Sequence, residues 1–345
     1  MYRIDHYLGK ETVQNILAFR FSNSFLDPAW NKEYIEEISI RLLESGGVED
    51  RGDFYDALGT LRDVGQNHLL QLLALFTMEN PGTFDGNSIR QRRGELLKSL
   101  RIPEPGDVGS LAMRGQYKGY LLLEGVLLRS RTETYFSIKA FLDTPRWSGV
   151  PIFLESGKLL PESKAEVRVT FRHHTPCLCP EERHVQNVLR YHIQPKEGVS
   201  TSFWVKRPGP RMVLEEKDFS FDYRAAYPDE RTDAYERLLL AAISGDQTLF
   251  VSTEEIIACW KFIDPIIRAW RKDKTPIAIY KKGEYPVKGA PEKGAPEEAD
   301  KEAKSRYVKK EIGIIGLGKM GGNIALRLRE KEWNMAGFDP GNVSE

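Results

Sequence analysis

The period of the hydrophobic pattern changes along this chain, and that change most constrains its fold. Up to about residue 100, apolar side chains recur at helical spacing. After Lys10-Glu11-Thr12 they fall at Val13, Ile16, Leu17 and Phe21, and the stripe ends at the polar Ser22-Asn23-Ser24. A second helical run, 54–78, carries Leu58, Leu61, Val64, Leu69, Leu72, Leu73 and Phe76. It stops at Asn80-Pro81-Gly82, where proline and glycine both oppose continuation. A third, 89–100, precedes the breakers Pro103-Glu104-Pro105-Gly106. From about residue 134 the pattern becomes that of strands. The runs 135–141, 150–154, 165–172, 188–194 and 202–206 are rich in β-branched and aromatic residues and divided by Gly/Pro/Ser turns. Helical spacing returns over 233–243 and 254–270. Helices and strands are segregated rather than alternating, which predicts an α+β fold, a large and mostly antiparallel sheet packed with helices.

Residues 281–308 are different material. Lys288-Gly-Ala-Pro-Glu292 repeats at once as Lys293-Gly-Ala-Pro-Glu297, and a charged run follows to Lys304. Proline, glycine and alternating charge with little apolar surface make a solvated linker. Beyond it, 309–345 reads strand, glycine turn, helix, strand, a short βαβ Rossmann-like fragment. The expected division is therefore 1–280 as the main domain, 281–308 as linker and 309–345 as the fragment.

Composition excludes several classes. An apolar fraction of 41% supports a buried core. Lys plus Arg and Asp plus Glu are 50 each, so no basic excess points to nucleic acid or a membrane surface. The longest strongly apolar stretch, 69–76, is far shorter than the ~20 residues that span a bilayer, and no export leader precedes it. Three cysteines cannot make an even disulfide framework, which fits a reducing, cytoplasmic setting. Arg172-His-His-Thr-Pro-Cys-Leu-Cys-Pro180 with His184 gathers zinc-type ligands, but Cys-x-Cys is not the usual spacing, and no metal site is expected.

Two clusters carry chemistry. Asp5, His6, Tyr7 and Lys10 stand just before a helix, where free backbone N–H groups and the dipole favour an anion. An imidazole, a phenol and an ammonium there make a phosphate cradle, or equally a polar helix entry with incidental charges. In Arg62-Asp-Val-Gly-Gln-Asn-His-Leu-Leu-Gln71, His68 sits in an otherwise apolar helix, where a lone histidine is more often a satisfied core residue than a base. Asp63, five positions earlier, is ~140° around an α-helix from it, so an orienting carboxylate must come from elsewhere.

These two segments, Arg3-Ile-Asp-His-Tyr-Leu-Gly-Lys-Glu11 and 62–71, resemble the best-known motifs of the glucose-6-phosphate dehydrogenase family. The likeness continues in the family's order over about residues 1–280. It runs through Thr132-Glu-Thr-Tyr135, Arg146-Trp-x-Gly-Val-Pro151, Ser156-Gly-Lys158, Lys164-Ala-Glu-Val-Arg168, Asn187-x-Leu-x-x-x-Ile-Gln-Pro195 and Asp233-Ala-Tyr-Glu-Arg-Leu238. The resemblance implies oxidation of D-glucose 6-phosphate to 6-phosphoglucono-1,5-lactone with NADP reduction, in the pentose phosphate pathway. It makes His68 the general base on the C1 hydroxyl and Asp5 its partner. His6, Tyr7, Lys10 and Lys158 hold the 6-phosphate, and Glu44, Asp63 and Gln194 line the sugar site. Leu43-Glu-Ser-Gly-Gly47 departs from the family's Lys-Glu-Pro-Phe-Gly, and Ser163 stands where some members carry a substrate-contacting arginine. A homodimer paired through the large sheet is also implied.

The family's preceding Rossmann coenzyme domain has no counterpart before the phosphate motif. The expectation is thus a truncated, split or fused chain, completed by a separately encoded coenzyme domain. The alternative is a non-catalytic module for sugar-phosphate binding or dimerisation. In the C-terminal piece, Gly316-x-Gly318-x-x-Gly321 follows apolar strand residues, and Asp339 lies 18 residues after Gly321. That is a dinucleotide-binding pattern, and an acidic residue there favours a ribose 2′-hydroxyl. The piece resembles the start of 6-phosphogluconate dehydrogenase. One βαβ unit cannot cover both faces of a parallel sheet, so it is not expected to work as a coenzyme domain.

Overall fold

The computed structural model describes residues 2–173, 186–228, 233–272, 277–286, 311–315, 326, 329–330 and 334–338. The chain divides into two compact units, Met1–Gly294 and Ala295–Glu345.

In the first unit a 3₁₀ turn, His6–Gly9, leads into α1 (Glu11–Phe21). Strand β1 (Ile35–Leu43) and α2 (Gly52–Leu58) follow. A π-helix, Leu61–Leu69, then runs directly into α3 (Leu70–Thr77). Next come α4 (Gly86–Lys98), the single turn α5 (Val108–Leu111), β2 (Ala112–Tyr117), β3 (Tyr135–Ala140) and β4 (Ile152–Gly157). The strands β5 (Lys164–Phe171), β6 (Val188–Gln194), β7 (Gly198–Lys206) and β8 (Leu214–Asp222) extend the sheet. The unit continues with α6 (Tyr223–Ala226), α7 (Ala234–Ser244), α8 (Thr253–Lys272) and β9 (Ala278–Tyr280). All nine strands form one sheet in the order β8-β7-β6-β5-β1-β4-β3-β2-β9. Its pairs are antiparallel except β1 with β4 and β2 with β9, so the α+β fold is built on a mixed sheet.

The helices cover one face because their apolar stripes need it. Val13 and Ile16 of α1, Leu69 to Phe76, and Phe262 and Ile266 of α8 share one core with Ile38, Ile40, Leu154, Val167 and Val169 of the sheet. The start of α8 shows a reciprocal cap legible as Ser252-x-x-Glu255. Glu255 N–H donates to Ser252 Oγ at 3.2 Å, and Ser252 N–H donates to Glu255 Oε1 at 2.9 Å.

Three expectations change. Residues 35–43, within the stretch read as helical, form the central strand β1. Its burial is nearly continuous, because both neighbours and the helix layer cover it, so the period-2 signal is weak. The run 54–78 is not one helix: it breaks at Gly59, with φ at +79°, and rewinds as the π-helix. β8 was not expected, because its exposed side chains give no alternation.

In the second unit, β10 (Glu311–Ile315) and β11 (Asn334–Phe338) pair in parallel, with Glu311 opposite Asn334 and Ile315 opposite Phe338. Gly316, Gly318, Gly321 and Asp339, and Cys177, Cys179 and His184, lie outside the described residues.

Candidate active site

Sheet topology gathers the polar residues at one end. β1 and β4 run parallel with Leu43 opposite Gly157, so the residues that follow them, Glu44 and Lys158, emerge side by side. Lys164 at the start of β5 pairs with Leu43, and Gln194 at the end of β6 pairs with Ala165. Four neighbouring strands thus deliver Glu44, Lys158, Ser163 and Gln194 to the same edge. Lys158 donates to Glu44 Oε2 at 2.6 Å, with the lysine buried and the carboxylate half-exposed. Ser45 N–H donates to Ser163 Oγ at 2.9 Å, which ties the turn after β1 to the start of β5.

The N-terminal turn closes over this edge. Asp5 caps it, accepting the Tyr7 N–H at 3.0 Å. The same oxygen, Oδ1, meets His68 Nδ1 at 2.6 Å. Asp5 is buried, with its side chain 2% exposed against 13% for that of His68. A buried, short contact of this kind fixes the imidazole and leaves Nε2 as its other proton-carrying position. The carboxylate that meets His68 is therefore Asp5, although 63 residues separate the two.

The ~140° that would separate Asp63 from His68 on an α-helix does not apply, because Leu61–Leu69 winds as a π-helix, bonded i to i+5. The winding has a side-chain support: Asn67 Nδ2 donates to Asp63 O at 2.9 Å, and Asn67 Oδ1 accepts the His68 N–H at 2.6 Å. Its N-terminus is held by the buried Glu133, whose Oε1 accepts the Leu61 N–H at 3.1 Å. Burial pushes the Glu133 carboxyl up from its ordinary value. Neither Asn67 nor Glu133 was singled out in the sequence; Thr132-Glu-Thr was the signal for the second.

Two aromatic rings pack around the dyad. His6 meets His68 edge-on at 4.6 Å, and Tyr7 lies tilted against His68 at 4.5 Å. The Tyr7 hydroxyl donates to Gln194 Oε1 at 3.3 Å, joining the turn to the end of β6. Burial, reinforced by the negative charges of Glu44 and Asp5, raises the Tyr7 phenol, so it stays a donor. Burial lowers the His6 imidazole, with the neighbouring His68 next in effect. Lys10 lies over the Tyr7 ring at 5.2 Å, its pKa lowered by burial and partly restored by Glu197 and Asp233. A cavity of about 860 Å³ opens on Lys10 between Glu197, Tyr223, Asp233 and Arg237; its lining does not include His68.

Asp5, His6 and His68 offer ligand atoms within 4.8 Å of one another, a metal-type grouping. Two nitrogen or oxygen ligands on a tetrahedral zinc stand about 3.3 Å apart, given bonds of ~2.0–2.1 Å. The 2.6 Å between Asp5 Oδ1 and His68 Nδ1 is instead the spacing of a shared proton.

The chain is similar to known proteins over most of its length. The family model "Glucose-6-phosphate dehydrogenase, C-terminal domain" matches residues 17–301, and "Glucose-6-phosphate dehydrogenase, NAD binding domain" matches residues 1–15. The chain is 40% identical over 310 residues to a glucose-6-phosphate 1-dehydrogenase of Chlamydia muridarum, covering 85% of this chain and 60% of that protein. It is 44% identical over 279 residues to that of Aggregatibacter actinomycetemcomitans, covering 77% and 56%. Among solved structures, a glucose-6-phosphate dehydrogenase in complex with its substrate glucose-6-phosphate superposes with a TM-score of 0.77 at 36% identity, over 84% of this chain and 60% of that one. The corresponding protein of Mycobacterium avium gives a TM-score of 0.72 at 34% identity, over 82% and 60%. The chain therefore spans about 60% of the length of such relatives.

Proposed function

The chain belongs to the glucose-6-phosphate dehydrogenase family, and from that premise we propose that it carries the sugar-phosphate site and the general base for oxidising D-glucose 6-phosphate to 6-phosphoglucono-1,5-lactone. The observation that supports this best is the Asp5–His68 dyad, held at 2.6 Å in a buried setting. Around it stand His6, Tyr7 and Lys10, with Lys158 and Glu44 at the adjoining sheet edge.

In this reading the 6-phosphate is bound by Lys10 and Lys158 as cations, with Tyr7 and His6 as donors. A protonated phenol and a neutral imidazole suit that task, since each presents an N–H or O–H without repelling its neighbours. Glu44, Asp63 and Gln194 take the sugar hydroxyls. His68 withdraws the proton of the C1 hydroxyl through Nε2 while Asp5 holds Nδ1–H and stabilises the imidazolium that forms. A bound nicotinamide, which we take to be NADP, supplies the acceptor for the C1 hydride. Its proposed contacts Gly316, Gly318, Gly321 and Asp339 lie outside the described residues, and the reading does not depend on them. The reading includes a cytoplasmic setting in the pentose phosphate pathway, a homodimer and a coenzyme domain supplied in cis or in trans. Among the described residues no helix is long and apolar enough to cross a membrane.

Calorimetry tests the binding half of this reading: the chain should bind glucose 6-phosphate, and Lys158→Ala should weaken that binding at least tenfold. A chain that takes up no glucose 6-phosphate would sink the proposal. Joined to the coenzyme domain of a relative, it should reduce NADP, and His68→Asn should abolish that reduction with binding largely kept. Retained turnover in His68→Asn would remove the base role.

A further inference from the structure

Lys158 is an unusual place to put a substrate-binding cation. It follows the last residue of β4, its side chain is almost fully buried, and the next residue, Leu159, sits at φ +54°. A leucine in the left-handed region persists only where the surroundings hold it there. The turn is held from two sides. On one, Leu159 N–H donates to Gly46 O at 2.9 Å and Leu160 N–H to Glu44 O at 3.0 Å, zipping it to the segment after β1.

On the other side stands β9, about 120 residues later in the chain. It is an edge strand of the sheet and pairs in parallel with β2, Tyr280 opposite Tyr117. Its last residue, Tyr280, is 2% exposed, packed edge-on against Tyr117 and Tyr135. Its hydroxyl donates to the carbonyl of Lys158 at 2.7 Å. Thr134 O is a longer second acceptor for it at 3.2 Å, and Thr134 Oγ1, 3.0 Å away, accepts the Tyr117 N–H at 2.9 Å, which leaves its own proton for the Tyr280 oxygen. Thr134 O receives the Lys158 N–H at 2.9 Å. A hydrogen-bond chain therefore runs from Tyr117 N–H through Thr134 and Tyr280 to Lys158 O, each hydroxyl giving one proton and taking one. Three residues on, Gly283 N–H donates to Leu159 O at 2.8 Å, with glycine's φ of +78° making the reversal.

We propose that Tyr280, backed by Gly283, is a positioning residue for the sugar-phosphate site, latching the Lys158–Leu159 turn so that the Lys158 ammonium stands beside Glu44. The inference rests on the proposed role of Lys158 in holding the phosphate. The ring of Tyr280 fills the aromatic cluster; the hydroxyl sets the turn. Removing the hydroxyl alone separates the two. In Tyr280→Phe the carbonyl of the buried Lys158 loses the Tyr280 hydroxyl, and the turn is freed to relax out of the strained conformation.

The test is calorimetry with glucose 6-phosphate on the full chain, as a cycle of wild type, Tyr280→Phe, Lys158→Ala and the double variant. Tyr280→Phe should raise Kd about tenfold, and in the Lys158→Ala background it should add nothing, because its effect passes through that lysine. Hydrogen exchange of the amides of residues 158–160 should accelerate in Tyr280→Phe, a reading that needs no ligand. Losses that multiply in the double variant, unchanged Kd in Tyr280→Phe, or unchanged exchange at 158–160 would each overturn the proposal. A wild-type chain that fails to bind would overturn both this proposal and the function it rests on.

Discussion

At the residue scale, the site is a set of groups whose charges are set by burial. His6 is the sharpest case. Its folded-state pKa lies below 6.5, with burial as the first cause and the neighbouring His68 as the second. Between that lowered value and 6.5 the unfolded chain binds more protons than the native one, so stability rises with pH across the window and falls as pH drops below about 6.5. His192, also lowered by burial, contributes with the same sign. His6→Gln should therefore flatten, without abolishing, the decline in Tm between about pH 6.5 and 5. An unchanged slope in differential scanning fluorimetry would mean that His6 titrates as it does in the unfolded chain. Asp5→Asn asks a different question. It keeps the shape but presents an amide to Nδ1 and removes the charge that steadies an imidazolium. Turnover with a supplied coenzyme domain should fall by at least a hundredfold with glucose 6-phosphate binding little changed. A matching fall in binding would instead make Asp5 a structural cap of the turn it begins.

At the element scale, close packing fixes where the site's supports stand. Gly9 ends the N-terminal turn, and a Cβ there would lie 2.5 Å from Ala234 O and 3.1 Å from the Leu238 side chain. The backbone of α7 must then shift. Gly9→Ala should cost about 1–3 kcal/mol of stability, as overpacking does, and weaken sugar-phosphate binding through displacement of Lys10. Urea denaturation with the wild-type midpoint would show that α7 yields freely. The join between α4 and α8 is a buried ion pair, Arg93 Nε to Glu255 Oε2 at 3.0 Å, both side chains at most 1% exposed. Glu255 also caps α8; Glu255→Gln keeps an acceptor for the capping box but removes the counter-charge from a buried guanidinium. A loss of about 3–5 kcal/mol is expected in the same experiment. The helices α1, α4, α7 and α8 were all legible from spacing and breakers. The π-helix was not, since its sequence has helical spacing throughout. What distinguishes it is the side chain of Asn67 reaching the carbonyl of Asp63.

At the scale of the whole molecule, the β7–β8 ribbon leaves the sheet with aromatic groups in solvent. Phe203 is 44% and Phe219 is 59% exposed, their rings 5.0 Å apart edge-to-face. On α7, Leu239, Leu240 and Ile243 are exposed as well. The homodimer proposed above would cover apolar surface of this kind with a second copy. Phe219→Lys with Phe203→Lys should convert a dimer into a monomer in sedimentation velocity; a double variant that stays dimeric would move the interface off this ribbon. The sequence by itself determined the broad class, the order of most helices and strands, and the groups available for chemistry, because hydrophobic period and residue type are local properties. Only the tertiary structure decided which atoms meet. The parallel pairing of β1 with β4 puts Glu44 beside Lys158, and the turn over the sheet edge brings Asp5 to His68 across 63 positions. Tyr280 reaches Lys158 across 122 positions. Such contacts depend on register and on close packing between distant segments, and neither leaves a period in the sequence.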